Sequence, residues 1–203
     1  FIYLIMNKKL LIIIFVLTLF FIFKKFNKNE YFDNDILKPS AIIYINLDHR
    51  TDRKKDVINN LNELNYHSMP IYRLSATYNK LNGHIGCADS HIRAIKMAKD
   101  MNLDNVLILE DDFKLDISPK KFKNKLNNFL KKYRNKWDAV ALFGHWKNGL
   151  IEDSDGIFKY DKDNGYSTVT VGYMVNSSVY DDFINVFSTA KEMMEYEMKD
   201  FPK

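Results

Sequence analysis

The chain has 203 residues, 46% hydrophobic and 28% charged, which is the composition of one globular domain with at most an appendage and not of a disordered chain. A single cysteine, Cys87, excludes an internal disulfide framework and any zinc site built on several thiolates. The net charge of +4 divides into +3 over residues 1–40 and +1 over residues 41–203, so a broad basic surface for nucleic acid is not supported.

The chain opens on Phe1, and its natural start is expected at Met6 unless the sequence is a fragment. Lys8 and Lys9 precede residues 10–23, an unbroken run that is apolar except for Thr18, and Lys24 and Lys25 close it. The run is short for a spanning helix, which needs about 20 residues, and it matches the apolar core of a signal sequence. No small-x-small cleavage site follows. Residues 6–25 are therefore expected to be an uncleaved signal anchor. That makes the protein single-pass type II, held in the membrane through residues 10–23 with its domain lumenal or extracytoplasmic; secretion after signal cleavage is the alternative. Residues 26–40 read as a polar stem and residues 41–203 as the folded domain. In a lumenal domain Asn176-Ser177-Ser178 is a glycosylation sequon, although its place at a strand-to-helix turn argues against its use.

Residues 41–47 form a β-branched apolar run of strand length. A polar turn follows over residues 48–53, then a helix to about Leu64 with Val57, Ile58, Leu61 and Leu64 on one face. Residues 70–76 read as a second strand. Gly83 and Gly86 bracket a loop, and a helix is expected over residues 88–101 with Asp89 or Ser90 as its cap. Residues 105–109 are a third strand. Phe122, Leu126, Phe129, Leu130 and Tyr133 mark another helix, and residues 139–143 a strand. Residues 150–166 are acidic and read as irregular. Residues 166–175 alternate like a strand, and Ser177 is placed as the cap of a last helix through Phe187, followed by a charged tail. Strands alternating with helices predict an α/β fold with a largely parallel sheet.

Three segments carry chemistry. Glu110, Asp111 and Asp112 emerge together where an apolar strand ends, the place where ligands bind in open α/β sheets. Three adjacent carboxylates repel one another unless a cation or solvent compensates them, and a hard divalent ion with oxygen ligands does so. Asn46 to Arg53 directly follows the first strand, and a helix start with Arg50 and Arg53 beside it suits an anion such as a diphosphate. Four of the five arginines, Arg50, Arg53, Arg73 and Arg93, fall within residues 50–93, against a background of 25 lysines; the guanidinium fork matches phosphate in a way lysine cannot. The third segment runs from Gly83 to Arg93. His84 and His91 hint at a metal there, but no neighbouring residue completes a ligand set, and Cys87 reads as a small buried hydrophobe.

In order and spacing these pieces resemble glycosyltransferase family 25, which includes lipopolysaccharide and procollagen galactosyltransferases. The resembling residues are 44–53 (YINLDHRTDR), 72–76 (YRLSA), Gly83, Gly86 with Cys87, 90–94 (SHIRA), 107–112 (LILEDD) and 170–173 (TVGY). The resemblance implies a GT-A-like, Rossmann-like sheet and an inverting transferase that moves galactose or glucose from a UDP-sugar to a glycan, lipid-linked or protein hydroxyl. It implies Mn²⁺ (or Mg²⁺) held by Glu110, Asp111 and Asp112, with Asp112 the best single ligand. It places Asn46, Arg50, Arg53, Ser90, His91 and Arg93 around the donor. A further acidic residue is expected after the Gly-Tyr strand as a candidate base. Glu192, Glu195, Glu197 and Asp200 are the residues at hand and none matches. The base is therefore unknown; the expectation is a chain truncated at its C-terminus, with the base beyond Lys203. Asp89 departs from the family pattern by adding a charge beside the donor helix. The alternative reading is a non-catalytic lumenal nucleotide-sugar-binding domain descended from such a transferase.

Overall fold

A computed structural model describes residues 38–66, 69–134, 136–147, 150–154, 157–160 and 166–200. The expected signal anchor and nearly all of the stem lie outside the described residues. So does Lys203, and with it the expectation of a base beyond the end of the chain. Among the residues described, no helix is long and apolar enough to cross a membrane.

The elements follow the chain as β1 (Ala41–Asn46), α1 (Thr51–Glu63), β2 (Ile71–Ser75), α2 (Gly83–Asp100), β3 (Asn105–Glu110), α3 (Pro119–Tyr133), β4 (Ala139–Lys147), β5 (Leu150–Ser154), β6 (Ile157–Tyr160), β7 (Tyr166–Asn176) and α4 (Tyr180–Asp200). Five strands form one sheet in the order β2-β1-β3-β7-β4, and β5 and β6 form a separate antiparallel pair. β1 pairs parallel with β2 and β3, whereas β7 runs antiparallel to both β3 and β4. The sheet is therefore mixed, not largely parallel. A parallel return needs a crossover element, and among the described residues no helix lies between β4 and β7. β7 instead comes back beside β4, with Tyr166 opposite Lys147.

Strand side chains alternate between the two faces of the sheet, and here both faces are covered. Ile43, Ile45, Val106 and Ile108 pack against Ala88, Ile92 and Ile95 of α2 and Phe183 and Phe187 of α4. Ile42, Tyr44, Leu107 and Leu109 pack on the other side against Val57 and Leu61 of α1 and Phe122, Leu126 and Leu130 of α3. Each fully buried Leu or Ile contributes about 1.5–3 kcal/mol. Burial on both faces is why these strands read as continuous apolar runs. Trp137 is part of the second core. Ile58, expected on the buried face of α1, is 40% exposed.

Several boundaries differ from the sequence reading, among them β4, which runs to Lys147 and not to residue 143. α2 begins at Gly83, with no loop between Gly83 and Gly86, and its cap is Asn82, whose side chain accepts from the His84 backbone N–H. Asp89 and Ser90 lie inside this helix. Gly86 is required by packing: a Cβ there would sit 2.4 Å from the backbone oxygen of Thr77. Residues 150–154 and 157–160 form the β5–β6 pair where irregular chain was expected. The last helix extends to Asp200, well past Phe187. It is preceded by a 3₁₀ turn at Ser177–Val179 that is capped by Asn176, not by Ser177. The sequon side chain is thereby engaged, accepting from the Ser178 N–H at 3.1 Å.

Candidate active site

The strand registers set the geometry. Ile45 lies opposite Glu110 and Asn46 opposite Ser75, so β1, β2 and β3 end level at one edge of the sheet. The residues that follow these three carboxyl ends form one polar cluster.

Asn46 stands at its centre, 1% exposed. Its amide nitrogen donates to Asp111 Oδ2 at 2.8 Å and to the Arg50 carbonyl at 3.0 Å. Its amide oxygen accepts from Arg73 Nε at 3.1 Å. One asparagine thus joins the ends of β1, β2 and β3 to the start of α1. Arg53, on the first turn of α1, donates to Asp111 Oδ1 at 2.8 Å and to Asp112 Oδ2 at 3.1 Å. Arg50 faces Asp52 at 2.7 Å, with Asp111 and Asp112 near enough to act on its charge. Arg73 also reaches Asp48 at 2.6 Å, and Ser75 donates to the other oxygen of that carboxylate. The hydroxyl of Ser75 and the guanidinium of Arg73 hold the Asp48 carboxyl below its usual range.

The acidic triplet divides. Both oxygens of Asp111, 9% exposed, are engaged by Asn46 and Arg53. Asp112 is 44% exposed at its side chain and receives only the weaker of the two Arg53 bonds. Partial burial, then repulsion from Glu110 and Asp111, push the Asp112 carboxyl above its usual range, with Arg53 opposing. Glu110 turns the other way, toward α2, where its carboxylate is 3.5 Å from His91 Nε2.

His91 is 2% exposed, stacked on Phe187 with ring centres 5.0 Å apart, and shares a 3.0 Å hydrogen bond between Nδ1 and the Tyr173 hydroxyl. Burial opposes charge on this ring, yet the Tyr173, Cys87 and Glu110 groups around it raise its pKa well above the ordinary histidine value. The Tyr173 hydroxyl is pushed up to about 12, chiefly by burial.

Ser90 and Arg93 sit in the same region with different partners. Ser90 donates to the Gly86 carbonyl and accepts from the Thr77 N–H, while Arg93 donates to the Ser75 carbonyl and the Thr77 hydroxyl. Together they pin the chain leaving β2 onto α2. Asp89 accepts from Thr77 and from Lys191 of α4, and Lys191 neutralises its charge. His84 is exposed at the helix start. Among the acidic residues of α4, Glu192 is exposed and Glu195 is near enough to Lys191 to favour its charge.

Asn46, Arg53, Asp111 and Asp112 are thus brought into direct contact, and His91 with Glu110 forms an adjoining pair. Sequence reasoning missed Arg73 as the partner of Asn46, Tyr173 as the partner of His91, and the approach of Cys87 to Glu110. Only the crowding of arginines in residues 50–93 signalled the first of these.

The arrangement offers an anion the guanidinium groups of Arg50 and Arg53 at a helix start. Beside them it offers a cation a carboxylate short of positive partners. A sequence model described as Glycosyltransferase family 25 (LPS biosynthesis protein) matches residues 62–198. The match includes Gly86, His91, the 110–112 triplet and Tyr173; β1 and the Asn46–Arg53 segment precede it. No curated protein matches the chain closely enough to count as a relative. The family match spans more than half of the sequence, and the chain belongs to glycosyltransferase family 25 and is a glycosyltransferase.

Proposed function

We propose that the protein transfers galactose or glucose from a UDP-sugar to a hydroxyl of a glycan, lipid-linked or protein acceptor, with metal assistance and inversion at the sugar carbon, on a GT-A-like sheet. The observation that carries this reading is the division of labour at the end of β3. Asp111 is locked by Asn46 and Arg53, and Asp112 is left exposed among like charges. A carboxylate whose pKa is raised by partial burial and then by neighbouring carboxylates fits a hard divalent cation with oxygen ligands. Asp112 would hold Mn²⁺ (or Mg²⁺) beside the braced Asp111, while Glu110, turned toward His91, adds only its negative charge to the acidic end. Bound there, such an ion neutralises a diphosphate leaving group. Arg50 and Arg53 supply fixed positive charge to the same diphosphate, and Asn46 keeps Asp111 and the Arg50 backbone in register. The same reading keeps the domain on the far side of a membrane anchored through residues 10–23.

The test is UDP release by the full chain from UDP-galactose and UDP-glucose, with and without Mn²⁺, GDP-mannose being the control. Mn²⁺-dependent release from a UDP-hexose and not from GDP-mannose is expected. Release that ignores the nucleotide would overturn the assignment. Binding of UDP without any turnover across a panel of hydroxyl acceptors would favour the non-catalytic descendant.

Arg53 gives a sharper prediction. Arg53 contacts both Asp111 and Asp112 through one nitrogen, Nη1; a lysine keeps the charge but loses the rest of the planar fork, which suits a diphosphate. Arg53→Lys is expected to weaken UDP binding about tenfold, the equivalent of roughly 1.4 kcal/mol. Lys123→Arg, on α3, should leave it unchanged. Equal effects in calorimetric titrations would remove the argument from guanidinium geometry.

A further inference from the structure

The sequence suggests no ligand set around His91, because its partner comes from a strand end 19 residues along the chain. In the fold, Cys87 Sγ, a ring nitrogen of His91 and a Glu110 carboxylate oxygen lie within 4.8 Å of one another. Cys87 and His91 are four apart on α2 and so share one face of the helix. Glu110 arrives from the end of β3.

Three features separate this cluster from an ordinary hydrogen-bonded group. First, His91 Nε2 is 3.5 Å from Glu110 Oε1, longer than the usual 2.7–3.2 Å of an N–H···O bond. It matches two ligands on one tetrahedral ion, whose 2.0–2.1 Å bonds put ligand atoms about 3.4 Å apart. Second, the ring is already oriented. Tyr173 engages Nδ1, and the stack on Phe187 fixes the plane, which leaves Nε2, the nitrogen that faces Glu110, as the ligand atom. Metal-bound histidines are held in this way by a hydrogen bond at their other nitrogen. Third, the charges balance: a thiolate, a carboxylate and a neutral imidazole around a divalent cation leave a neutral cluster beside the core.

We propose that Cys87, His91 and Glu110 form a binding site for one thiophilic divalent cation of the zinc class. A thiolate and an imidazole select such an ion over Mn²⁺ or Mg²⁺. Binding replaces the thiol proton of Cys87 and the Nε2 proton of His91, both of which leave to solvent, and the neutral ring then ligates through Nε2. Three protein ligands leave a fourth position open. Glu110 then serves this inward site and Asp112 the outer acidic end. The site does not depend on the donor assignment above.

The test uses Co²⁺ as the probe, titrated into the full chain in detergent under a non-thiol reductant. One equivalent is expected to give a thiolate-to-cobalt charge-transfer band and the intense visible bands of tetrahedral cobalt. Stoichiometric Zn²⁺ should erase both, and excess Mg²⁺ should not. Cys87 is the sole cysteine of the chain, so any such band belongs to it. Cys87→Ser should lose the band, and Tyr173→Phe should weaken Co²⁺ binding about tenfold or more by releasing the ring. No charge-transfer band in the folded wild-type chain, or a band that survives in Cys87→Ser, would overturn the proposal. Should Cys87→Ser fail to fold, alkylation of wild-type Cys87 decides: protection by Zn²⁺ supports the site, and an unchanged rate contradicts it.

Discussion

Asp112→Asn is expected to slow Mn²⁺-dependent UDP release from a UDP-hexose at least about a hundredfold while leaving the fold intact. The functional part follows from charge. Asp112 would hold an ion that, when bound, would supply several kcal/mol of stabilisation to a departing diphosphate, and each 1.36 kcal/mol is a factor of ten in rate. The structural part follows from exposure. Asp112 is 44% exposed and makes one 3.1 Å bond to Arg53, which an amide oxygen can also accept. Removing its charge relieves repulsion from Glu110 and Asp111, so thermal stability should hold or rise slightly. Asp111→Asn is the contrasting case, because it weakens the grip on Arg53 in a more buried place. A rate for Asp112→Asn within threefold of wild type, at an unchanged melting temperature, would move the metal site off the end of β3.

Gly86→Ala should destabilise the domain by about 3 kcal/mol, the upper part of the range for overpacking. A Cβ at this position would lie 2.4 Å from the Thr77 oxygen and 3.2 Å from the Asn79 nitrogen, both backbone atoms that no rotamer change can move. Relief requires α2 to shift away from the chain leaving β2, and Ser90 and Arg93 tie those two together. The expected reading is a melting temperature lower by roughly 6–12 °C. Gly83→Ala is the internal control. Nothing lies within 4 Å of a Cβ there, and alanine is the better helix former, so the melting temperature should stay or rise. Equal behaviour of the two alanine variants would mean that the contact between Gly86 and Thr77 is not tight in solution.

What could be read from the sequence was whatever leaves a local pattern. β1 and β3 were legible as continuous apolar runs because both their faces are buried, and the buried faces of α1 and α3 because one-sided burial imposes a period of 3.6. The start of α2 was misread because a glycine required by close packing looks the same as one required by a turn. The mixed sheet was missed because strand direction is set by what connects β4 to β7, and that stretch carries few apolar landmarks. Resemblance to the family rested on short motifs, and the match over residues 62–198 bears out its core. The site was legible as a list and not as a set of contacts. Asn46 meets Asp111 across 65 residues, Arg53 meets it across 58, and His91 meets Tyr173 across 82. No local period records such pairs. The four clustered arginines were the exception, and each of them does end at the edge where β1, β2 and β3 finish. Cys87 read as a small hydrophobe because its partners were invisible: one is a turn away on the helix, the other on a different strand.

On the proposed function, the level ends of β1, β2 and β3 bind a nucleoside diphosphate with a divalent cation at Asp112. Calorimetric titration of UDP into the full chain, with and without Mn²⁺, tests it most directly. Saturable binding that strengthens at least about tenfold with Mn²⁺ is expected, with the Mn²⁺ increment lost in Asp112→Asn. UDP binding of a folded protein that is indifferent to Mn²⁺ and to Asp112, or no UDP binding at all, would contradict it.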